Sequence, residues 1–288
     1  MVSNIDIKKI KGVVNMIDKR YPGIEFLNID DINGFLVDKP VLYKYMPLEH
    51  ALGTLKNKRL WLADPGTWED PFEKRFLNAR YKKADGTETD FPYSGRTFAT
   101  CLTRDRSSEA QWNVYSRGSI GIKFVINTTI LLEQLNEFAQ KHSTFKVFFG
   151  KVEYHKREEI EQKQLLKLKF EAEEKGVSIK KSLREKDFCA RLFLLKRHDF
   201  KYEDEIRIIV FKDVKTDAKG TVFDYVCANH ELFPQLMISP RVKENTEMML
   251  KEYLKQFDMD SFNDKSGRRQ HRILKCHLYD ENNVSINI

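Results

Sequence analysis

The arrangement of strand-like segments constrains the fold of this chain more than any other feature. Short segments with strand composition or period-two alternation lie on both sides of a long helical stretch at residues 155–197. Strands grouped in this way, without a helix after each one, favour an α+β fold over regular βαβ winding. We therefore predict a mixed, largely antiparallel sheet core with helical decoration. The predicted strands cover residues 41–45, 59–63, 97–103, 120–126, 146–154, 205–211 and 270–279.

Helical periodicity defines the segments around these strands. Apolar residues follow helical spacing over residues 7–17 until Tyr21-Pro22-Gly23 ends the pattern, which predicts an N-terminal helical extension over residues 1–39. No internal repeat and no Pro/Gly/Ser-rich linker divides the rest of the sequence. We predict a single α+β domain over residues 40–288, with a helical insertion at about residues 155–198. The other predicted helices cover residues 48–55, 155–175, 178–197 and 244–257.

Composition indicates a soluble, cytoplasmic, globular protein. The 288 residues are 41% hydrophobic, which is enough for a substantial core, and no apolar run approaches the roughly 20 residues that span a bilayer. The first residues lack the charged and then apolar layout of a signal peptide. We expect no membrane partner, and the sequence predicts no particular oligomeric state.

The spacing of cysteines and histidines argues against a metal site. Cys101, Cys189, Cys227 and Cys276 lie far apart and form no Cys-x-x-Cys pair, and the seven histidines include no His-Glu-x-x-His motif. We therefore expect free core thiols and no bound metal.

Positive charge is concentrated in the helical middle of the chain. The formal net charge is +7, and residues 151–201 hold 15 basic against 10 acidic residues. A solvated helical face accounts for mixed charges of this kind, whereas a nucleic-acid surface would use the excess of positive charge. The sequence favours the first interpretation and leaves a nucleic acid or an acidic protein open as a partner.

Two glutamates and an arginine alternate in the segment Tyr202-Glu203-Asp204-Glu205-Ile206-Arg207. On a strand, Glu203, Glu205 and Arg207 would share one face. Carboxylates about 6.6 Å apart repel by roughly 2.5 kcal/mol at an effective dielectric of about 20, but by only about 0.6 kcal/mol in bulk water. On a solvated face the segment is an ordinary polar strand. In a cleft, one glutamate would have a raised pKa and the other would stabilise a developing cation.

An aromatic and acidic loop is predicted at residues 68–73, after the turn signal Asp64-Pro65-Gly66. Asp70 would form an Asx turn before Pro71, while Trp68 and Phe72 anchor the loop to the core. If the loop borders a site, the same rings would form a wall for a flat heteroaromatic ligand.

Two further aromatic groups are candidate binding elements. Tyr43 and Tyr45 share one face of the first predicted strand, and Lys44 opposes them. Lys44 or Tyr45 would bind an anion such as a dinucleotide phosphate, or Lys44 would simply extend its amine to solvent; the chain has neither a Walker loop nor a Gly-x-Gly-x-x-Gly turn. Trp112 and Tyr115 would share a helical face that is more often core than ligand contact.

In their order along the chain, these motifs resemble the bacterial domain-of-unknown-function family 2971, from about residue 41 to the C-terminus. Glu69 stands where the family has an asparagine. The reaction of that family is unsettled, so the resemblance names no activity. The motifs that carry it are Tyr43-Lys44-Tyr45 with a following helix, Trp68-Glu69-Asp70-Pro71-Phe72-Glu73, Cys101-Leu102-Thr103, Gln111-Trp112-Asn113-Val114-Tyr115 and the Tyr202 to Arg207 segment.

A weaker resemblance, to ADP-ribosyltransferase-like folds, implies a substrate and a set of roles. Such folds bind NAD without a Rossmann turn. The resemblance implies that Glu205 is catalytic, that Glu203 positions the acceptor and that Tyr115 stacks on the nicotinamide ring. The usual histidine or arginine of the first strand has no clear counterpart here. The remaining residues that we expect around NAD are Tyr43, Lys44, Tyr45, Trp68, Asp70, Trp112 and Arg207.

Three functional hypotheses follow. The first is an NAD-consuming transferase or glycohydrolase, of a kind that would suit a bacterial toxin or an anti-phage defence effector. The second is a metal-dependent nuclease in which Asp70, Glu203 and Glu205 hold magnesium. The third is a non-enzymatic module that binds nucleic acid or protein through basic helices around Lys180 and Arg184. Convergence of Tyr45, Tyr115 and Glu205 on one concave pocket would favour an enzyme.

Overall fold

The computed structural model describes residues 18–78, 81–82, 87–106, 108–115, 119–160, 185–264 and 266–278. The predicted helix at residues 7–17 and most of the predicted helical insertion lie outside these ranges. The strands are β1 (Ile24–Leu27), β2 (Val41–Pro47), β3 (Arg59–Ala63), β4 (Tyr81–Lys82), β5 (Glu88–Thr89), β6 (Thr97–Thr103), β7 (Gly121–Asn127), β8 (Phe145–Lys151), β9 (Glu153–His155), β10 (Leu195–Arg197), β11 (Glu205–Lys212), β12 (Gly220–Asp224), β13 (Gln235–Ile238), β14 (Phe262–Asn263), β15 (Arg269–Gln270) and β16 (Ile273–Lys275).

Short helices cover and connect these strands. Short 3-10 segments at Pro65–Thr67 and His198–Glu203 supplement them. Within the described ranges, every helix is too short or too polar to span a bilayer. The α-helices are α1 (Ile32–Asp38), α2 (Leu48–Asn57), α3 (Arg75–Asn78), α4 (Glu109–Tyr115), α5 (Thr128–Lys141), α6 (Lys186–Leu192), α7 (Asn229–Leu232) and α8 (Glu244–Lys255).

A ten-stranded sheet forms the core of the described part of the chain. Eight strands follow the order β1-β8-β11-β6-β2-β7-β13-β16, and β3 joins β6 to β12. Neighbours are antiparallel except for the pairs β1–β8 and β13–β16. This arrangement confirms the prediction of an α+β fold with a mixed, largely antiparallel sheet.

Most predicted strands and two predicted helices are present with small changes at their ends. The predicted strand at 146–154 divides into β8 and β9, and of the predicted strand at 270–279 only β16 joins the main sheet. The predicted helix at 178–197 is wrong at its end, because α6 stops at Leu192 and β10 pairs with β9. The sequence from Ala190 to Leu195 is apolar apart from Arg191, and periodicity alone does not separate a buried helix from a buried strand in such a run.

Residues 18–39, which we expected to belong to an extension, contribute to the main sheet. Strand β1 pairs with β8, and Ile24 and Phe26 lie in the core. Asp31 caps α1 by accepting a hydrogen bond from the backbone N–H of Asn33, and Ile32 of this helix is also buried. The domain boundary near residue 39 stays a prediction.

Apolar side chains pack on both faces of the sheet. On β11, Ile206, Ile208 and Val210 belong to the larger cluster, which also includes the buried face of α5. Ile209 and Phe211 point the other way, toward the cluster that contains α6. Since side chains alternate along a strand, Glu205 and Arg207 lie on this second face, at the end of β11 where the strand begins.

The sheet opens where β2 and β3 leave β6. Strand β2 pairs with β7 along its whole length, but it pairs with β6 only at Tyr43 and Thr103. Strand β3 pairs with β6 only at Ala63 and Ala99. Helix α2 connects β2 to β3, and a left-handed Lys58 (φ 50°) ends it. A gap therefore separates β2 from β3 beside the middle of β6.

Truncation of Phe26 will show whether residues 18–39 belong to the cooperative core. The side chain of Phe26 is 1% exposed, so Phe26→Ala is expected to lower the free energy of unfolding by about 3–5 kcal/mol. Val37, on the same segment, is 83% exposed, so Val37→Ala is expected to change it by less than about 0.5 kcal/mol. Urea denaturation monitored by circular dichroism measures both values. Equal, small effects of the two changes would mean that β1 is dispensable.

Candidate active site

The gap in the sheet forms a cleft of about 730 Å³. Its walls come from β2, α2, β3 and the middle of β6, and aromatic rings contribute much of the surface. This volume lies within the range of small-molecule sites in proteins. The lining residues used below are Lys44, Tyr45, His50, Asn57, Arg59, Trp61, Trp68, Cys101, Tyr115 and Val222.

A smaller pocket of about 10 Å³, enough for about one water molecule, adjoins the inner part of this cleft. Tyr45, Tyr115 and Glu205 all line it, together with Tyr43 and Lys44. Lys44, Tyr45 and Tyr115 line both the pocket and the cleft. Tyr45, Tyr115 and Glu205 therefore lie on one concave surface, which is the arrangement that favours an enzyme.

A buried ionic cluster lies behind the small pocket. Arg207 is 1% exposed; its Nε donates to Glu205 Oε2 at 2.7 Å, its Nη1 donates to the Phe193 carbonyl at 2.6 Å, and its Nη2 pairs with Glu73. Lys196 Nζ donates to Glu205 Oε1 at 2.9 Å, lies 3.6 Å from Glu73 and pairs with Glu203. Three carboxylates thus face two cations away from bulk water.

Their charged neighbours give the two glutamates opposite shifts in pKa. Burial, assisted by the nearby Glu205, raises the pKa of Glu203 to about 8. Burial alone would also raise the pKa of Glu205, but Arg207, Glu203 and Lys196 outweigh it and hold that pKa below its usual range. Of the two, Glu203 is therefore the group that binds a proton more readily, and Glu205 is the group that stays ionised more readily.

The expectation that Glu203, Glu205 and Arg207 share one strand face is wrong for Glu203. This residue ends the 3-10 segment His198–Glu203, and Asp204 adopts a left-handed conformation (φ 42°) before β11 begins. Lys196, rather than strand alternation, brings Glu203 close to Glu205.

Lys44 occupies the point where β2 leaves β6. Its Nζ donates to the Cys101 carbonyl at 3.0 Å, and burial lowers the pKa of the amine. Its amine therefore lies at the cleft, beside Tyr45 and Tyr115, and does not extend to bulk solvent. Cys101 is half-buried, and the burial of its thiol raises the pKa to about 12.

The two aromatic residues of α4 have different surroundings. Trp112 is buried against Tyr45, with ring centroids 4.8 Å apart, in a small cluster that includes Tyr43. Lys123 Nζ lies 5.2 Å from the Tyr43 ring centroid and 6.0 Å from that of Trp112. Tyr115, at the end of α4, is 39% exposed and lines the cleft. Of the two, only Tyr115 is placed to touch a ligand there.

The loop at 68–73 covers the ionic cluster. The backbone N–H of Phe72 donates to Asp70 Oδ1 at 3.0 Å, which confirms the predicted Asx turn. The Trp68 ring lies 4.5 Å from the Arg207 guanidinium and also lines the cleft. Asp70 is buried and pairs with Arg197 at 3.2 Å, so it lies outside the lining of both cavities.

This geometry supports the metal-dependent nuclease and the non-enzymatic binding module less than it supports an NAD-consuming enzyme. Among the described residues, no group of three or more His, Cys, Asp or Glu side chains is arranged to hold a metal ion, and Asp70 pairs with Arg197. Lys180 and Arg184, which the binding hypothesis requires, lie outside the described residues.

Sequence reasoning missed Lys196, Glu73 and Trp61. Lys196 lay inside a segment predicted to be helical, where a lysine gives no sign of a buried partner. Glu73 belongs to the quoted loop, but only the distant Arg207 gives it a role. Trp61 faces the cleft because Leu60 and Leu62 on either side of it are buried in the core, an alternation that was readable in the sequence.

Removal of one member of the ionic cluster is expected to be costly. Arg207→Met leaves Glu73 and Glu205 buried without their main partner, so the free energy of unfolding should fall by about 3–5 kcal/mol. The matched control is Arg59→Met, which breaks an exposed pair with Asp224 and should cost less than about 1 kcal/mol. Urea denaturation compares the two, and similar costs would show that the buried cluster contributes no more than a surface pair.

Comparisons with known proteins give a partial family match and a loose structural likeness. A model of a family described as a protein of unknown function, DUF2971, matches residues 111–208, which include Tyr115, Glu203 and Glu205. The match is shorter than the resemblance from residue 41 onward. No curated protein matches the sequence.

Two solved structures of DarT from Thermus sp. 2.9 are similar to this chain. One, in complex with ADP-ribosylated ssDNA, is 11% identical, with 83% of this chain and 95% of that chain covered and a TM-score of 0.34. The other, in complex with NAD+, is 12% identical, with 83% and 96% covered and a TM-score of 0.32. Values this low do not establish a shared activity.

Proposed function

We propose that this chain cleaves NAD at the bond between nicotinamide and ribose and transfers the ADP-ribose to an acceptor or to water. The observation that carries this proposal is the convergence of Tyr45, Tyr115 and Glu205 on one pocket that adjoins a cleft with aromatic walls. A cleft of about 730 Å³ suits a small organic ligand. NAD is the substrate here and not a retained cofactor.

Glu205 supplies the charge that this reaction needs. As the C–N bond breaks, its electron pair goes to the nicotinamide nitrogen, and the ribose becomes an oxocarbenium-like cation. Arg207 and Lys196 keep Glu205 ionised and hold both of its carboxylate oxygens in place. A carboxylate that is already oriented stabilises the developing cation without reorganisation at the moment of reaction.

Glu203, which lies outside the lining of both cavities but next to Glu205, is assigned to accept the proton of the incoming nucleophile. Its pKa of about 8 is close to a working pH, which is the condition for an efficient general base. It is also less buried than Glu205, since 19% of its side chain is exposed against 6%. The attacking water or acceptor would lose its proton to the ionised form of Glu203.

Tyr115 provides a surface for the nicotinamide ring. It lines both cavities next to Tyr45, and burial raises the pKa of its hydroxyl, which therefore stays protonated. Lys44 lies in the same corner, where its amine would donate to a ribose or phosphate oxygen. The acceptor would be a nucleic acid or a protein, and an enzyme that consumes NAD in this way would suit a toxin or a defence effector.

Nicotinamide release from NAD tests the proposal. The purified protein should release nicotinamide, measured by chromatography, and Glu205→Gln should lower the rate by at least about 100-fold because the fixed negative charge is lost. Tyr115→Ala should also lower it, and Tyr115→Phe should retain most of it. Glu137→Gln, an exposed change on α5, is the matched control. Release that survives Glu205→Gln in a folded protein would contradict the role of Glu205.

The rate of release should depend on pH through Glu203. A general base must lose its own proton first, so the rate is expected to rise as pH increases through about 8 and then to level off. Glu203→Gln should be slower and should lack this rise. Initial rates between about pH 6 and about pH 9.5, measured for both proteins at NAD concentrations well below KM, provide the comparison, because kcat/KM follows the pKa of the free protein. An identical rise in the variant would assign the titration to another group.

A further inference from the structure

Trp61 is an exposed aromatic residue at the cleft. It is 54% exposed, although its neighbours Leu60 and Leu62 are buried in the core. It lines the cleft but not the small pocket that contains Glu205. Trp61 therefore belongs to the outer part of the cleft, away from the proposed reaction.

The strand beside Trp61 supports its indole ring. Strand β12 pairs with β3 so that Gly220 lies opposite Ala63 and Val222 lies opposite Trp61. A methyl group built on Gly220 would lie 2.1 Å from Cζ2 and 2.4 Å from Cε2 of Trp61. The ring therefore lies against the backbone of Gly220, in space that any other residue would fill. One side of the ring rests on the strand while more than half of the residue's surface stays exposed.

The polar groups near Trp61 suit a nucleotide. Asn57, His50 and Arg59 also line the cleft, as does Glu49, and Lys44 lines both cavities. Arg59 pairs with Asp224 at 2.7 Å and Asn57 Nδ2 donates to the Gly53 carbonyl at 3.0 Å, so a ligand would share these groups with their present partners. A ligand with a planar base, a phosphate-bearing middle and a second planar ring would contact Trp61, these polar groups and Tyr115 in turn. Aromatic side chains stack on bases because every base has a π face, and amide and cationic groups bind base edges and phosphates.

We propose that Trp61, supported by Gly220, is the stacking surface for the adenine base of an adenine nucleotide. This assignment rests on the proposed NAD-cleaving function for its choice of ligand. The outer part of the cleft then binds the adenine base, and the inner part binds the ribose and nicotinamide on either side of the bond that breaks.

Calorimetric titration with ADP tests the assignment without any reaction. ADP contains the base and the diphosphate but no nicotinamide, so it should bind the wild-type protein. Loss of one base–aromatic stack is expected to weaken ADP binding by about 5- to 150-fold in Trp61→Ala. Trp61→Phe should stay within a few-fold of the wild type. Tyr253→Ala, which removes an exposed ring on α8 outside the cleft, should have no effect.

A second variant moves the indole ring without removing it. Gly220→Ala places a methyl group where the ring lies, so ADP binding should weaken although Trp61 is still present. The added methyl group would also approach the Leu62 carbonyl at 2.7 Å, so circular dichroism must show that this variant is folded. If it is not, Trp61→Ala alone decides the question, because an exposed tryptophan can be truncated at little cost to the core.

The outcomes separate this inference from the proposed function. Absence of ADP binding to the wild type, or equal binding by Trp61→Ala, would overturn the stacking role, whatever the protein does with NAD. Binding of ADP that depends on Trp61, in a protein that releases no nicotinamide, would support the adenine site and overturn the NAD-cleaving proposal. Ribose 5-phosphate, which has no base, should not distinguish Trp61→Ala from the wild type.

Discussion

The buried guanidinium of Arg207 joins several separate segments of this structure through its pairs with Glu73 and Glu205. A charged side chain inside a protein is tolerated only when it is paired and its donors are satisfied. Arg207 meets this condition by joining its own strand to the loop at 68–73 and to the Phe193 carbonyl after α6. Lys196 adds β10 to the same assembly. Segments that are far apart in sequence are thus held together around one guanidinium, and the carboxylate of Glu205 has little freedom to turn.

Much of the sheet could be predicted because the alternation of residue types along its strands shows which strand face is buried. Strand β7 alternates Ile122, Phe124 and Ile126 on the core face, and that period is visible without any knowledge of its partners. Strand β10 (Leu195–Arg197) could not be predicted in the same way, because it is only three residues long, begins at the end of an apolar run and exists through its pairing with β9. The parallel pairing of β1 with β8 was equally hidden, because no local pattern specifies a partner more than 100 residues away.

The candidate site was predictable in its residue types but not in its arrangement. Tyr45, Tyr115 and Glu205 were identified from motifs, and the structure brings them to one pocket. The contrast between Glu203 and Glu205 was expected from burial in general, whereas the cation that joins them, Lys196, came from a segment predicted as helix. Long-range pairing determines such contacts, and a single sequence does not encode it in a readable form.

The hydrogen bond from Lys44 Nζ to the Cys101 carbonyl opposes closure of the cleft. Two strand edges that face each other across a gap tend to form hydrogen bonds with each other, since each carries unpaired backbone N–H and C=O groups. Here the amine of Lys44 already donates to one of those carbonyls. Extension of the β2–β6 ladder across the gap would require this amine to leave the Cys101 carbonyl. The side chain of Lys44 therefore helps to keep the two strands apart.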